Sequence, residues 1–262
     1  MITEPCSILF VIDRFETPNA GTERQLFRVV EGLDRARFKP HLLVLRESEW
    51  LRKTEFPCEY SVLGQSKLFN PFTWWRMFQF ARKFRESGVR LAHVFFNDSS
   101  ILCPPVFRLA GIRTLISRRD MGYWYTRPYL SALRITSRFV CGVVANSNAV
   151  AEVTCMAEGI PRDRIDVIYN GVVNEECNEF LYEAVPYLAA LKDTETVVLG
   201  LVANVRPIKR IGDAIKALGQ LNSDGASIHL AVIGGGNTEE LVDLATRSGI
   251  ESRVHFLGPR DD

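Results

Sequence analysis

The chain has 262 residues, 47% hydrophobic and 24% charged, which is enough apolar material for one large or two ordinary α/β cores. Its 32 basic and 31 acidic residues leave a net charge of +1, which argues against a dedicated nucleic-acid binder. No apolar run approaches the roughly 20 residues of a spanning helix, which argues against a membrane-crossing segment.

In chain order, short apolar runs alternate with helical patterns. Residues 7–13 (SILFVID) read as a buried strand. Residues 22–33 read as a helix, with Thr22 at its N-cap and Glu23 favourable in the first turn. Residues 41–45 and 60–63 are strand-like. Residues 71–86 carry apolar side chains at helical spacing and stop before Gly88. A strand at 91–96 precedes a helix at 99–110 disturbed by Pro104 and Pro105. Strand 114–117, helix 128–139, strand 142–145, helix 148–158 and strand 165–168 follow. This rhythm predicts a mainly parallel sheet, helices on both faces and right-handed crossovers.

Residues 174–196 break the rhythm. They are acidic, contain Pro186 and hold no strong strand pattern. The reading is a first domain over 1–180, a linker over 181–196 and a second domain over 197–262. The second begins with strand 197–203, helix 211–221, strand 228–233, helix 238–248 and strand 254–257. Three strands and two helices make about half of a doubly wound domain, so the second domain is read as incomplete. Such a sheet carries an uncovered edge and apolar faces.

The even charge hides a local bias. Between Ile112 and Arg138 lie Arg113, Arg118, Arg119, Arg127, Arg134 and Arg138 against the single acid Asp120. Between Lys67 and Arg85 there are five basic residues and no acid. Positive potential there suits an anionic ligand or an anionic membrane surface, and equally a set of solvated helix faces. The aromatic-basic stretch 69–85 (FNPFTWWRMFQFARKFR) reads either as a membrane contact or as a helix burying aromatics in its own domain. The six cysteines fall in neither CxxC nor metal-ligand spacing, and no signal peptide opens the chain. Together these point to a reducing, cytoplasmic compartment, and to a protein without metal or resident cofactor.

Three places carry candidate chemistry. The first strand-to-helix loop (DRFETPNAGTERQL) has one glycine, Gly21, and about eight residues between strand and helix. A dinucleotide fingerprint needs GxGxxG directly at that turn, so an NAD-type oxidoreductase is disfavoured. Gly21 at a helix N-terminus either favours an anion or serves a flexible connection. After strand 197–203, Arg206, Lys209 and Arg210 cluster where open α/β sheets bind ligands. Cations at a helix start oppose its dipole, so they are better placed with an anion such as a diphosphate beside them. The strand at 228–233 ends in Gly234, Gly235 and Gly236, which permit close approach of a phosphate or ribose, or equally a tight turn.

The order NAGTERQL, LAHV, ANSNAVAE, VIYNGV, LGLVANVRPIKRIGDAIKAL, AVIGGG and VHFLG resembles glycosyltransferase family 4, retaining enzymes of the GT-B fold. The resemblance runs from about residue 7 to the end, with its strongest parts at 145–171 and 197–258. It implies two Rossmann-like domains, the first on the acceptor side and the second taking a nucleotide-diphosphate sugar as donor substrate. It implies that Gly21 approaches the donor phosphate, with Ala20 where a second glycine is usual. It implies that Lys209 stabilises the leaving diphosphate. The family's arginine position holds Asn204, with Arg206 two residues on as a substitute. The family's His-Asp pair corresponds to SRRDMG, placing Arg118, Arg119 and Asp120 there, with one arginine expected to face the cleft. His93 matches a strand-end histidine and is read as a core residue. Asn146–Ser147 and Asn170–Gly171 match turn positions. The family's glutamate-bearing donor segment would fall beyond Asp262. The acceptor implied is a glycan or a lipid-linked hydroxyl. The rival readings are a fragment that binds phosphate or nucleotide without turnover, an oxidoreductase, and a sugar-nucleotide epimerase of the same fold.

Overall fold

The computed structural model describes residues 5–18, 21–64, 67–68, 70–171, 196–221 and 227–260. Its contacts divide the chain into two units, Met1–Val173 and Asn174–Asp262. The boundary drawn from sequence at residue 180, and the linker over 181–196 apart from Thr196, lie outside the described residues.

The first unit is built on strands β1 (Cys6–Ile12), β2 (Phe38–Val44), β3 (Tyr60–Val62), β4 (Leu91–Val94), β5 (Arg113–Arg118), β6 (Gly142–Ala145) and β7 (Ile165–Val167). They pair in the order β3-β2-β1-β4-β5-β6-β7, every pair parallel. This doubly wound order reverses between β1 and β4, the point where such sheets open for ligands. β1 shows why its sequence is apolar without alternation. Leu9 and Val11 enter one core, with Met77, Ala81 and Ile101. Phe10 and Ile12 enter the other, with Leu26, Val30 and Leu51. A strand covered on both faces needs apolar residues at every position.

The helices are α1 (Gly21–Gly32), α2 (Glu49–Lys53), α3 (Pro71–Glu86), α4 (Asn97–Leu109), α5 (Arg127–Thr136) and α6 (Asn148–Glu158). Thr22 lies inside α1 and is not its N-cap, because the helix starts one residue earlier. The sequence pattern missed α2, whose five residues are too short for a period; Ser48 caps it by accepting the Leu51 N–H at 3.1 Å. Asn70 caps α3, Pro71 opens it, and it buries Thr73, Met77, Ala81 and Phe84. α3 thus buries one face in its own domain and leaves Phe72 and Trp75 exposed and stacked at 5.4 Å. α4 continues through Pro104 and Pro105, where two backbone N–H donors are missing. Burial of Ile101, Leu102, Val106 and Phe107 offsets that cost.

The second unit has β8 (Val197–Val202), a 3-10 turn at Pro207–Lys209, α7 (Ile211–Leu221), β9 (Ile228–Ile233), α8 (Glu239–Arg247) and β10 (Val254–Gly258). The strands pair in parallel in the order β10-β9-β8. Ile211, Ile215, Leu218, Leu230, Val232, Ala245, Ile250 and Val254 form its core. β8 has a single ladder neighbour among the described residues, and Val202 is 80% exposed. Among the described residues no helix is long and apolar enough to cross a membrane.

Candidate functional site

In the first unit the carboxyl ends of β1, β4 and β5 meet the start of α1. Asp13, the residue after β1, is buried and accepts the backbone N–H groups of Asn97, Asp98 and Ser99 at 3.2, 3.0 and 2.7 Å. It thereby serves the orphan donors that open α4. Burial raises the Asp13 pKa, and the bonds from Ser99 oppose that rise without cancelling it. Phe96, just before α4, holds φ at 66°, a strained value for a bulky residue. That strain sits at the switch point of the sheet.

The two arginines ending β5 have different duties. Arg118 is buried and grips Glu158 with Nε–Oε1 at 2.6 Å and Nη2–Oε2 at 2.9 Å, while its Nη1 donates to Ser100 Oγ at 2.9 Å. Tyr125 also donates to Glu158. Burial works against the Arg118 charge, but Glu158 outweighs it and its pKa rises. This is a closed structural pair. Arg119 instead lies over the Phe95 ring and donates from Nη1 to Asn170 Oδ1 at 2.5 Å. Its Nε is buried with no hydrogen-bond partner, as is Asn146 Oδ1, whose amide nitrogen donates to the Arg119 carbonyl at 3.2 Å. Such groups cost about 1–3 kcal/mol unless a ligand or solvent meets them. Asp120 is engaged locally, accepting from Gly122 N at 2.7 Å and from Trp124 Nε1 at 3.1 Å.

These residues converge. A cleft with about 20 Å³ of free space is lined by Thr22, Phe96, Asn97, Ser117, Arg118, Arg119, Asp120 and Trp124. Thr22 adjoins Gly21, so the helix start and the Arg119–Asp120 pair picked from sequence share one site. His93 is not in it: it is half-buried against Phe10 and Phe95 and bonded to Ser117 Oγ at 2.8 Å, and loss of solvation lowers its pKa to about 3.

In the second unit the loop after β8 is clasped to the loop after β9. Asn204 Oδ1 accepts Gly235 N–H at 3.1 Å, and Val205 N–H donates to the Gly235 carbonyl at 2.8 Å. Gly234 has φ 149°, and a Cβ there would lie 2.2 Å from the Ala203 carbonyl oxygen. Gly236 has φ 134°, and a Cβ would meet Val205 at 2.8 Å. The glycines thus let two loops touch, and Gly235 alone keeps an open Cβ direction. Arg206 caps the turn that Lys209 closes, Lys209 N–H donating to the Arg206 carbonyl at 2.9 Å. Both side chains are exposed, and neither has an ion-pair or hydrogen-bond partner among the described residues. Arg210, at φ 52°, is spent on Asp213 at 2.5 Å.

Residues 19–176 match the family model described as Glycosyltransferase Family 4. The chain belongs to that family. Its fold is GT-B, as in the family 4 enzymes' structural relatives. The crystal structure of Anabaena Alr3699/HepE in complex with UDP and glucose superposes with a TM-score of 0.78 at 19% identity, over 97% of this chain and 70% of that one. WaaG, a glycosyltransferase involved in lipopolysaccharide biosynthesis, gives 0.69 at 14%, over 97% and 70%. Sucrose-phosphate synthase from Thermosynechococcus elongatus gives 0.70 at 14%, over 97% and 71%. No curated protein sequence matches the chain. The family 4 match spans the Gly21–Arg119–Asp120 site, whereas Asn204, Arg206, Lys209 and Gly234–Gly236 lie outside it.

Sequence reasoning did not find Phe96, Asn97 or Trp124 as site residues. Asn97 and Trp124 carry no motif of their own. Phe96 is marked only by its backbone angle, which a phenylalanine does not announce.

Proposed function

We propose that this family 4 protein transfers a sugar, with retention at the anomeric carbon, from a nucleotide-diphosphate sugar to a hydroxyl of a glycan or lipid-linked acceptor. The observation that carries the reading is the pair Arg206 and Lys209. They stand exposed on one turn at the carboxyl end of a parallel strand, without a partner among the described residues, where such sheets take ligands. The Gly235 backbone, fixed beside them through Asn204, supports the same reading.

In the proposed reaction the bond between the anomeric carbon and the diphosphate oxygen breaks, and negative charge grows on the leaving diphosphate. Arg206 offers a planar fork for two oxygens and Lys209 a point charge, so both interactions strengthen as the bond breaks. The acceptor oxygen forms the new bond on the face the diphosphate leaves, and its proton passes to the departing phosphate oxygen. Arg119, held over Phe95 with a free Nε, is assigned to substrate binding, with Asp120 shaping the loop beside it.

Transfer from a panel of nucleotide sugars, with Lys209→Ala alongside, tests this. The variant should lose about a hundredfold or more in turnover, comparable with one lost oxyanion-type contact, with its fold unchanged. Turnover within a few-fold of the parent would remove Lys209 from the mechanism. Nucleotide binding by calorimetry without any turnover would favour the non-catalytic alternative.

A further inference from the structure

The first unit carries a second constellation at the carboxyl ends of α5 and α6. The Arg118–Glu158 pair lies between it and the cleft above, Arg118 lining the cleft and Glu158 the new cavity. There a cavity of about 330 Å³ is walled by Arg134, Arg138 and Arg164, with Ser137, Gly159 and Glu158 among its other residues. Glu158 is the one carboxylate in this wall. Its side chain is fully buried, and both oxygens are taken by Arg118, with Tyr125 adding a third bond. It therefore neutralises Arg118, and among the described residues of the wall no carboxylate is left for the three arginines. Asp163 belongs to the same turn as Arg164 but is not part of the wall.

Two of these arginines have local duties that also hold them in place. Arg134 Nε donates to the Ala157 carbonyl at 2.8 Å, and Arg164 donates to the Val140 carbonyl. Both tie down chain near the ends of α5 and α6, where the helix dipole favours a cation. That accounts for one nitrogen of each, and the other guanidinium N–H groups have no partner among the described residues. Arg138 has no partner among the described residues. A helix terminus offsets each charge by less than about 1 kcal/mol, which is weak compensation for three cations round one cavity.

We propose that this cavity is a phosphate-binding site, separate from the transfer site and independent of the reaction assigned to it. Guanidinium forks match phosphate oxygens in pairs, and Ser137 supplies a hydroxyl at the same wall. The phosphate could be carried by a soluble molecule or by a lipid headgroup. Exposed Ile135 and Phe139, each next to a cavity arginine, and Met156 nearby on α6 make the lipid source worth its own arm.

The test uses the whole chain and three proteins: the parent, Arg138→Glu, and Lys216→Glu. Lys216 is exposed on α7 in the second unit, is not part of the cavity wall and gives the same charge change. In one arm, arginine Nε–H resonances are followed during titration with inorganic phosphate. In the other, co-sedimentation is measured with phosphatidylcholine vesicles, with and without phosphatidylglycerol. The parent should bind in at least one arm, and Arg138→Glu should weaken that binding about tenfold or more, the loss of a charge-assisted contact. Lys216→Glu should change it less than twofold. Loss in the phosphate arm assigns a soluble phosphate, and loss in the vesicle arm alone assigns a lipid one. No binding by the parent in either arm, or equal weakening by the two variants, overturns the site. A parent that binds phosphate here while Lys209→Ala abolishes transfer would keep the two sites distinct.

Discussion

Each unit presents arginines at the carboxyl end of a parallel sheet, and the two sets have opposite characters. Arg118 is buried, bidentate with Glu158 and bonded to Ser100. Arg206, with Lys209 beside it, is exposed and has no protein partner among the described residues. The first arrangement spends its charge on the fold. The second leaves charge unspent and available to a ligand. Arg119 stands between them, with one nitrogen on Asn170 and another without a partner. The comparison teaches that a cation's position in the topology does not give its function, because what decides is whether the protein has already answered its charge.

The sharpest way to break this contrast is Arg118→Ala. It leaves Glu158 buried without its counter-ion, which should cost about 3–5 kcal/mol in urea denaturation. A loss under about 1 kcal/mol would mean that the pair is not the closed structural unit described here. Next comes Gly234→Ala. Its Cβ would strike the Ala203 carbonyl at a backbone angle that L-residues avoid, so about 2–3 kcal/mol of stability should be lost. If the loop clasp instead serves a ligand alone, stability will hold and only nucleotide binding will fall.

Much of the fold was legible because doubly covered strands write themselves as unbroken apolar runs. β1 and β8 show where that legibility ends. Their sequences, CSILFVI and VVLGLV, look alike. Leu9, Val11 and Ile12 are fully buried between β2 and β4, whereas Val197 is 53% and Leu199 47% exposed on a strand paired on one side among the described residues. An apolar run records a face built to be covered, not whether it is covered. The candidate site was legible in part. Gly21 was picked from its place between a strand end and a helix start, Arg119 and Asp120 only from the family resemblance, and the cleft is lined by Arg119, Asp120 and Gly21's neighbour Thr22. The Arg118–Glu158 pair spans 40 residues and carries no local pattern, so nothing in the sequence separated Arg118 from Arg119. The glycines at 234–236 read as a tight or ligand-facing turn, while their clash partners, Ala203 and Val205, lie about thirty residues upstream.

A pH series extends the comparison to His93, at the closed edge. Its imidazole is half-buried, packed between Phe10 and Phe95, and desolvation there lowers its pKa to about 3, from an ordinary 6.5. Above pH 6.5 both folded and unfolded chains hold it neutral, and its contribution is constant. Below that, the unfolded chain takes up a proton that the folded chain refuses, so stability falls by about 1.4 kcal/mol per pH unit until about pH 3. Carboxylates titrate in the lower part of this range, so the measurement is the difference between the parent and His93→Gln. The variant should show a shallower decline between pH 6.5 and 4.5, and parallel curves would place His93 in contact with solvent.

The smallest expected effect is the most diagnostic. Arg206→Ala removes an exposed side chain with no hydrogen-bond or ion-pair partner among the described residues, so unfolding should move by no more than about 0.5 kcal/mol. The same change should weaken binding of a nucleoside diphosphate by tenfold or more, since a charge-assisted pair with phosphate is worth about 1.5–3 kcal/mol. Arg118 predicts the reverse order of effects, a large change in stability that precedes any in binding. If Arg206→Ala destabilises the chain while leaving nucleotide affinity intact, the unspent charge has a protein partner, and the distinction between the two carboxyl edges fails with it.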